Sequence, residues 1–273
     1  MALDQAPLGK TSKYPEHYAP DLLFPVSRDE KRRSLGLADG RWPWFGGDLW
    51  QAWEISWLNH DGLPRVAWGE VEFPCASPAI IESKSLKLYL NSFNQTVFSS
   101  PEQVREVMVR DLSSACGAAV TVRLYDVEDA AGGICGRPKD YCLIDNQPLS
   151  QPGFDYHADC LKAGDEVVSE RLCSHLLKSN CPVTGQPDWA TLLVDYSGPA
   201  IDHAGLLEYV VGFRNKQDFH EHCVETVFTD LLEYCRPEAL TVVARYTRRG
   251  GLDINPWRST SAKAGPGWRT VRQ

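Results

Sequence analysis

No apolar run in this chain approaches the roughly 18 residues that a bilayer-crossing helix needs, so a membrane-spanning helix is excluded. The opening MALDQAPLGK lacks the apolar stretch of a secretory leader, and the chain is expected to stay in the cytoplasm. Cations are in deficit, with 28 Lys and Arg against 36 Asp and Glu, for a net charge of −8. That balance argues against broad nucleic-acid or anionic-membrane binding, because neutralising phosphates needs clustered Lys and Arg. CxxC, HExxH and the PCxxC of zinc deaminases are all missing; His220 and Cys223, at i and i+3, come nearest to a metal pair, and no metal is expected. No GxGxxG follows a strand pattern, which excludes a dinucleotide held in the Rossmann manner.

What is present is an ordinary globular composition, 43% hydrophobic and 23% charged over 273 residues. The length suits one large domain or two modest ones and allows a core that needs no disulfide staple. Nine cysteines at unpaired spacings read as small buried hydrophobes in a reducing compartment, one of them a candidate for more.

The first twenty residues carry three prolines and no periodicity, and read as an arm (1–20). A Gly/Pro-rich stretch holding GGICG and NQPLSQPG reads as a connector (129–154), which leaves modules at 21–128 and 155–273. The modules are internally related. At an offset of 120 residues Ser77, Leu86, Tyr89, Phe93, Val104, Val107 and Leu112 face Ser197, Leu206, Tyr209, Phe213, Val224, Val227 and Leu232. In each copy a β-rich segment (WGEVEFP, WATLLVDY) precedes helical sequence, and a strand (AVTVRLY, LTVVARY) follows. One helix is predicted over 101–115, with Ser100 as N-cap and Pro101 at its first position, and its counterpart over 219–235. The period is too long for a solenoid and implies two α+β modules of similar fold. The copies keep different titratable groups, Glu82-Ser83-Lys84 in one and His220-Glu221 in the other, which suggests one composite site fed by both halves.

Cys181 lies in SNCPVTGQPDW, a punctuated loop where a thiol is expected to be more exposed than on a helix face, as a nucleophile requires. Asp188 follows in the same segment and could take and return a thiol proton; equally, Cys181 could be one loop cysteine among several and Asp188 a turn former. His220-Glu221 opens a helix. Asp218 with Glu221 would make a capping box that leaves His220 on the surface, or Glu221 could turn inward to accept the paired N–H donors of a flat heterocycle, as could Glu82. Lys84 and Lys87, like Arg248-Arg249 before Gly250-Gly251, could bind cofactor phosphates, while ESKSLKLYL also reads as a half-exposed strand with a solvated lysine face.

Taken in order, ESKSLK, NCPVTGQPDW, FHE and RRGG resemble the NADPH-dependent 7-cyano-7-deazaguanine reductases of queuosine biosynthesis, the nitrile reductases, in their long two-module form. The resemblance runs from about residue 13 to 258; short relatives place the cysteine before the ESK-type motif, and this chain has the order of the long ones. It implies an α+β chain of two tandem tunnelling-fold (T-fold) modules, antiparallel sheets backed by helices, assembled as a homodimer. It also implies reduction of a nitrile to an aminomethyl group with two NADPH. By the same resemblance Cys181 is the nucleophile forming a thioimide and Asp188 the proton donor. Ile81, Glu82, Ser83, His220 and Glu221 hold 7-cyano-7-deazaguanine, and Ser83, Lys84, Arg249 and Gly250 contact NADPH. Rival readings are a zinc-dependent T-fold hydrolase of the GTP cyclohydrolase kind and a non-catalytic purine- or pterin-binding module.

Overall fold

A computed structural model describes residues 15, 17–37, 42–127, 134–135, 140–150, 155–262, 269–270 and 272–273. Most of the expected arm and part of the expected connector lie outside the described residues. The described chain is α+β, its strands mostly antiparallel, and falls into two compact units: 1–38, 48–131 and 248–253 form the first, and 39–47, 132–247 and 254–273 the second. Among the described residues no helix is long and apolar enough to cross a membrane.

The first unit contains β1 (Pro25–Ser27), α1 (Asp29–Ser34), most of β2 (Phe45–Leu58), β3 (Pro64–Pro74), β4 (Ala79–Ile81), α2 (Ser83–Asn91), α3 (Pro101–Cys116) and β5 (Thr121–Tyr125). Its strands run β5–β3–β2, with β1 paired to β4 apart from them. Helix α3 begins as its sequence dictates: the Ser100 hydroxyl accepts the Gln103 N–H, Pro101 takes the first position, and Gly117, at φ 75°, ends it in the left-handed region. The second unit contains β6 (Ile134–Cys135), β7 (Cys142–Leu143), β8 (Ala163–Asn180), β9 (Pro187–Ile201), α4 (His203–Gly212), α5 (His220–Cys235), β10 (Ala239–Tyr246), most of β11 (Leu252–Ser259) and β12 (Arg269–Thr270). Its strands run β11–β10–β9–β8–β7, α5 packs on β8, β9 and β10, and β12 pairs with β6 in parallel.

Each unit repeats the same local devices. Helix α2 is capped by the Glu82 carboxylate, which accepts the Lys84 and Ser85 N–H groups, and α4 by Asp202, which accepts those of Ala204 and Gly205. Tyr89 donates to Asp111 at 2.8 Å and Tyr209 to Asp230 at 2.5 Å, each aspartate taking a further tyrosine hydroxyl, Tyr18 or Tyr156. Phe93 and Phe213 pack edge-on against the respective tyrosines. From the start of one helix to the start of the next the second unit is one residue shorter (203 to 220 against 83 to 101), so α3 matches α5 at an offset of 119 rather than the 120 read from the sequence. In that corrected register Asp111, Leu112 and Cys116 fall on Asp230, Leu231 and Cys235, identical and buried in both copies.

Candidate functional site

Strands β8 and β9 form a long hairpin whose register ends at Asn180 opposite Pro187. The prolines and glycine of CPVTGQP close its loop: Cys181 N–H donates to the Gln186 carbonyl at 2.9 Å, Gly185 N–H returns to the Cys181 carbonyl at 3.0 Å, and Gly185 adopts φ 67°. The base of the loop is stitched to the segment before α5, since Asn180 N–H donates to Lys216 O and Asp218 N–H to Asn180 O. Lys178 Nζ adds a bond to Arg214 O at 2.6 Å. One end of the hairpin and the first turn of α5 are thereby fixed together. The loop thiol was expected to be exposed. Instead Cys181 and Asp188 are each only 5% exposed, because both sit at the base of the hairpin against the segment at 216–218, while Thr184 to Pro187 at its tip stay exposed.

His220, the first residue of α5, places Nε2 3.3 Å from Asp188 Oδ2. The approach is not aligned as a hydrogen bond, and Nε2 has no hydrogen-bond partner among the described residues. The imidazole is held by its face: its centroid lies 3.8 Å from that of the Tyr246 ring, the planes inclined by 23°. The capping box does not form. The N-cap is Phe219, without a side-chain bond; Asp218 instead accepts the Phe219 N–H at 3.0 Å and lies 3.2 Å from His222 Nδ1, while Glu221 is buried. Beneath the imidazole, burial pushes the Cys223 thiol up to about 12 and the Tyr246 hydroxyl well above its ordinary value. This wall of the site is therefore neutral.

In the first unit Ile81 ends β4, Glu82 is the cap of α2, and Ser83 and Lys84 form its first turn. ESKSLKLYL is thus a helix and not a half-exposed strand, because a capping carboxylate outweighs the two-residue alternation. The Glu82 carboxylate has no exposed surface, and burial raises its pKa against the opposing pull of the Lys84 and Ser85 N–H groups and of Lys87 and Lys84. Each of its oxygens already serves one backbone donor and retains a further lone pair. Arg249 and Leu252 exchange backbone hydrogen bonds around Gly250 and Gly251, both at positive φ (55° and 74°), as a tight two-residue turn demands. The Lys87 side chain lies over Gly250, where a Cβ would meet its methylenes at 3.3 Å. Among the described residues no group of three or more His, Cys, Asp or Glu could hold a metal.

The sequence brought Cys181, Asp188 and His220 forward, and the structure gathers the carboxylate and the imidazole at the base of the Cys181 hairpin. It did not bring forward Tyr246, which reads as the last residue of a buried strand and whose partner lies 26 positions back in the chain. No local signal marks such a pairing.

This is an α+β protein with a buried loop thiol and, on the same hairpin, a carboxylate in contact with a stacked imidazole. The pattern described as nitrile reductase, 7-cyano-7-deazaguanine-reductase N-term, matches residues 14–124, and that of QueF-like protein matches 187–265. The chain belongs to this nitrile reductase family. It is 51% identical over 264 residues to a protein of Chromohalobacter salexigens, covering 97% of this chain and 95% of that one. It is 51% identical over 269 residues to one of Desulfotalea psychrophila (98% and 97%), and 52% identical over 266 residues to one of Saccharophagus degradans (97% and 98%). All three relatives are named NADPH-dependent 7-cyano-7-deazaguanine reductase.

Proposed function

We propose that this chain is an NADPH-dependent nitrile reductase that converts 7-cyano-7-deazaguanine to its aminomethyl product, in queuosine biosynthesis. On this reading its two modules (21–128 and 155–273) are tunnelling folds and it works as a homodimer. Likeness to reductases over nearly the whole chain supports the substrate and cofactor. The observation that carries the chemistry is the contact of Asp188 with His220 at the base of the Cys181 loop.

A nitrile carbon accepts hydride poorly, and a sulfur nucleophile converts it to a C=N centre that accepts it well. The Cys181 thiol gives its proton to Asp188 as sulfur bonds to the nitrile carbon. One π bond of the nitrile becomes a lone pair on nitrogen, and Asp188 returns the proton there, so that a neutral thioimide forms with every atom accounted for. The low exposure of both residues keeps water from the C=N centre. In the second unit Glu221 is the acceptor for the ring N–H and amino donors of the heterocycle; in the first unit Glu82, with Ile81 and Ser83 beside it, is an acceptor of the same kind. His220 presents its open Nε2 to the same substrate.

The first unit has groups that suit an anionic dinucleotide: Ser83 and Lys84 at a helix start, and Arg249 and Gly250 in a turn whose missing side chain leaves room beneath Lys87. NADPH bound there supplies the hydride equivalents, two per nitrile. The test is intact-mass measurement of protein incubated with the nitrile and no cofactor. One adduct is expected on the wild type and none on Cys181→Ala; an unmodified wild type overturns the assignment.

A further inference from the structure

A cavity of about 270 Å³ in the first unit is lined by Glu54, Lys87, Asn91, Asn94 and the Gly250–Gly251 turn. It is too small for a whole dinucleotide and is the size of one sugar phosphate. The turn is pinned to β2 by the Trp53 N–H, which donates to Gly251 O at 2.9 Å. Its glycines leave space for two side chains of opposite charge. The Lys87 stem lies over Gly250, and the Glu54 carboxyl lies over Gly251, where a Cβ would come within 2.7 Å of it. Glu54 is exposed and makes no hydrogen bond or ion pair among the described residues.

An unpaired carboxylate beside a cation on a Gly-Gly turn fits a particular piece of ligand. A carboxylate accepts both hydroxyls of a ribose that carries a free diol and repels one that bears a 2′-phosphate. The adjacent ammonium suits the phosphate on the 5′ oxygen of the same sugar.

We infer that Glu54 and Lys87 form a sugar-phosphate subsite for the unphosphorylated ribose of NADPH, the one bearing the nicotinamide. This rests on the reading of the chain as NADPH-dependent and adds which half of the cofactor the turn receives. Glu54 accepts the diol, Lys87 takes the neighbouring diphosphate oxygen, and the 2′-phosphate lies away from this cavity.

The test is the dissociation constant of NADPH, followed by its fluorescence on the full chain with no nitrile present, for wild type, Glu54→Ala, Glu54→Gln and Lys87→Met. Glu54→Ala is expected to weaken binding about tenfold, the scale of a charge-assisted hydrogen-bond pair, with Glu54→Gln between it and wild type. Lys87→Met is expected to weaken binding similarly. Unchanged or tighter binding by Glu54→Ala overturns the inference, tighter binding meaning that the carboxylate faces a phosphate. Thermal melts and cofactor-free Cys181 adducts equal to wild type show that the variants are folded. A wild type that forms the adduct yet binds no NADPH sinks the cofactor reading itself, whereas wild-type binding with indifferent variants sinks only the subsite.

Discussion

Replacing Tyr246 by Phe and, separately, by Leu isolates the stack that holds His220. The tyrosine ring is buried at 1% exposure with its centroid 3.8 Å from the imidazole. Its hydroxyl makes no well-aligned hydrogen bond among the described residues and has the Cys223 thiol and the Ser179 hydroxyl as polar neighbours. Phe keeps the ring and removes a buried hydroxyl that is poorly satisfied, a group that costs a protein up to about 1–3 kcal/mol. Tyr246→Phe is therefore expected to melt at or above the wild-type temperature and to form the Cys181 adduct at the wild-type rate. Leu keeps much of the apolar volume but loses the stack, which is worth about 0.5–1.5 kcal/mol. If that energy fixes the imidazole against Asp188, turnover falls about two- to twelvefold with little change in KM for the nitrile. The assay pairs the decay of NADPH absorbance with time-resolved intact mass in the absence of cofactor. A Phe variant as slow as the Leu variant would refute the reasoning, since the hydroxyl and not the ring face would then be responsible.

Asp188→Asn is expected to lower turnover about 10²–10⁴-fold, the usual worth of a placed proton carrier, and wild-type turnover would remove Asp188 from the mechanism. Glu221→Ala should leave ring donors unpaired and weaken nitrile binding by about 1–3 kcal/mol, read by calorimetry on Cys181→Ala protein; an unchanged constant returns Glu221 to a structural role. The Glu82 carboxyl titrates higher when folded than its value of 4.5 when exposed, so the folded state binds the extra proton. Stability should then fall as pH rises from about 4.5 through the raised folded value, and Glu82→Gln should abolish that stretch of the slope in denaturant melts. Gly46→Ala would set a Cβ 2.2 Å from the Trp257 carbonyl, which is backbone and cannot swing away; loss of soluble protein or a large drop in melting temperature is expected, and a normal melt would contradict the packing.

Periodicity and capping chemistry were legible in the sequence. Ser100-Pro101 announced α3 because both act within one turn of the chain. The repeat was legible too, but its register slipped by one residue in the helices, where valines one position off happened to coincide and the Tyr–Asp bonds that fix the true alignment leave no local mark. One expectation, the exposed thiol, and one of two open readings, a surface His220, failed for the same physical reason. Cys181 is buried and His220 is not a surface residue because the segment at 216–218 lies against the hairpin base, and its bonds to Asn180 are made by backbone, to which sequence is silent. Glu54 escaped notice likewise: its significance comes from two glycines nearly two hundred positions away.

The paired tyrosine–aspartate bonds bear on how such a chain diverges. Asp111 and Asp230 anchor their helices well past the first turn, whereas His220 and Glu221 sit at the leading tip of α5 and Pro101 and Glu102 at that of α3. Foundation and workshop thus occupy separate floors of one helix. Mutation can refurnish the tip in either copy while the footing stays bolted down, so changing the groups presented at either helix start asks for changes in a single turn.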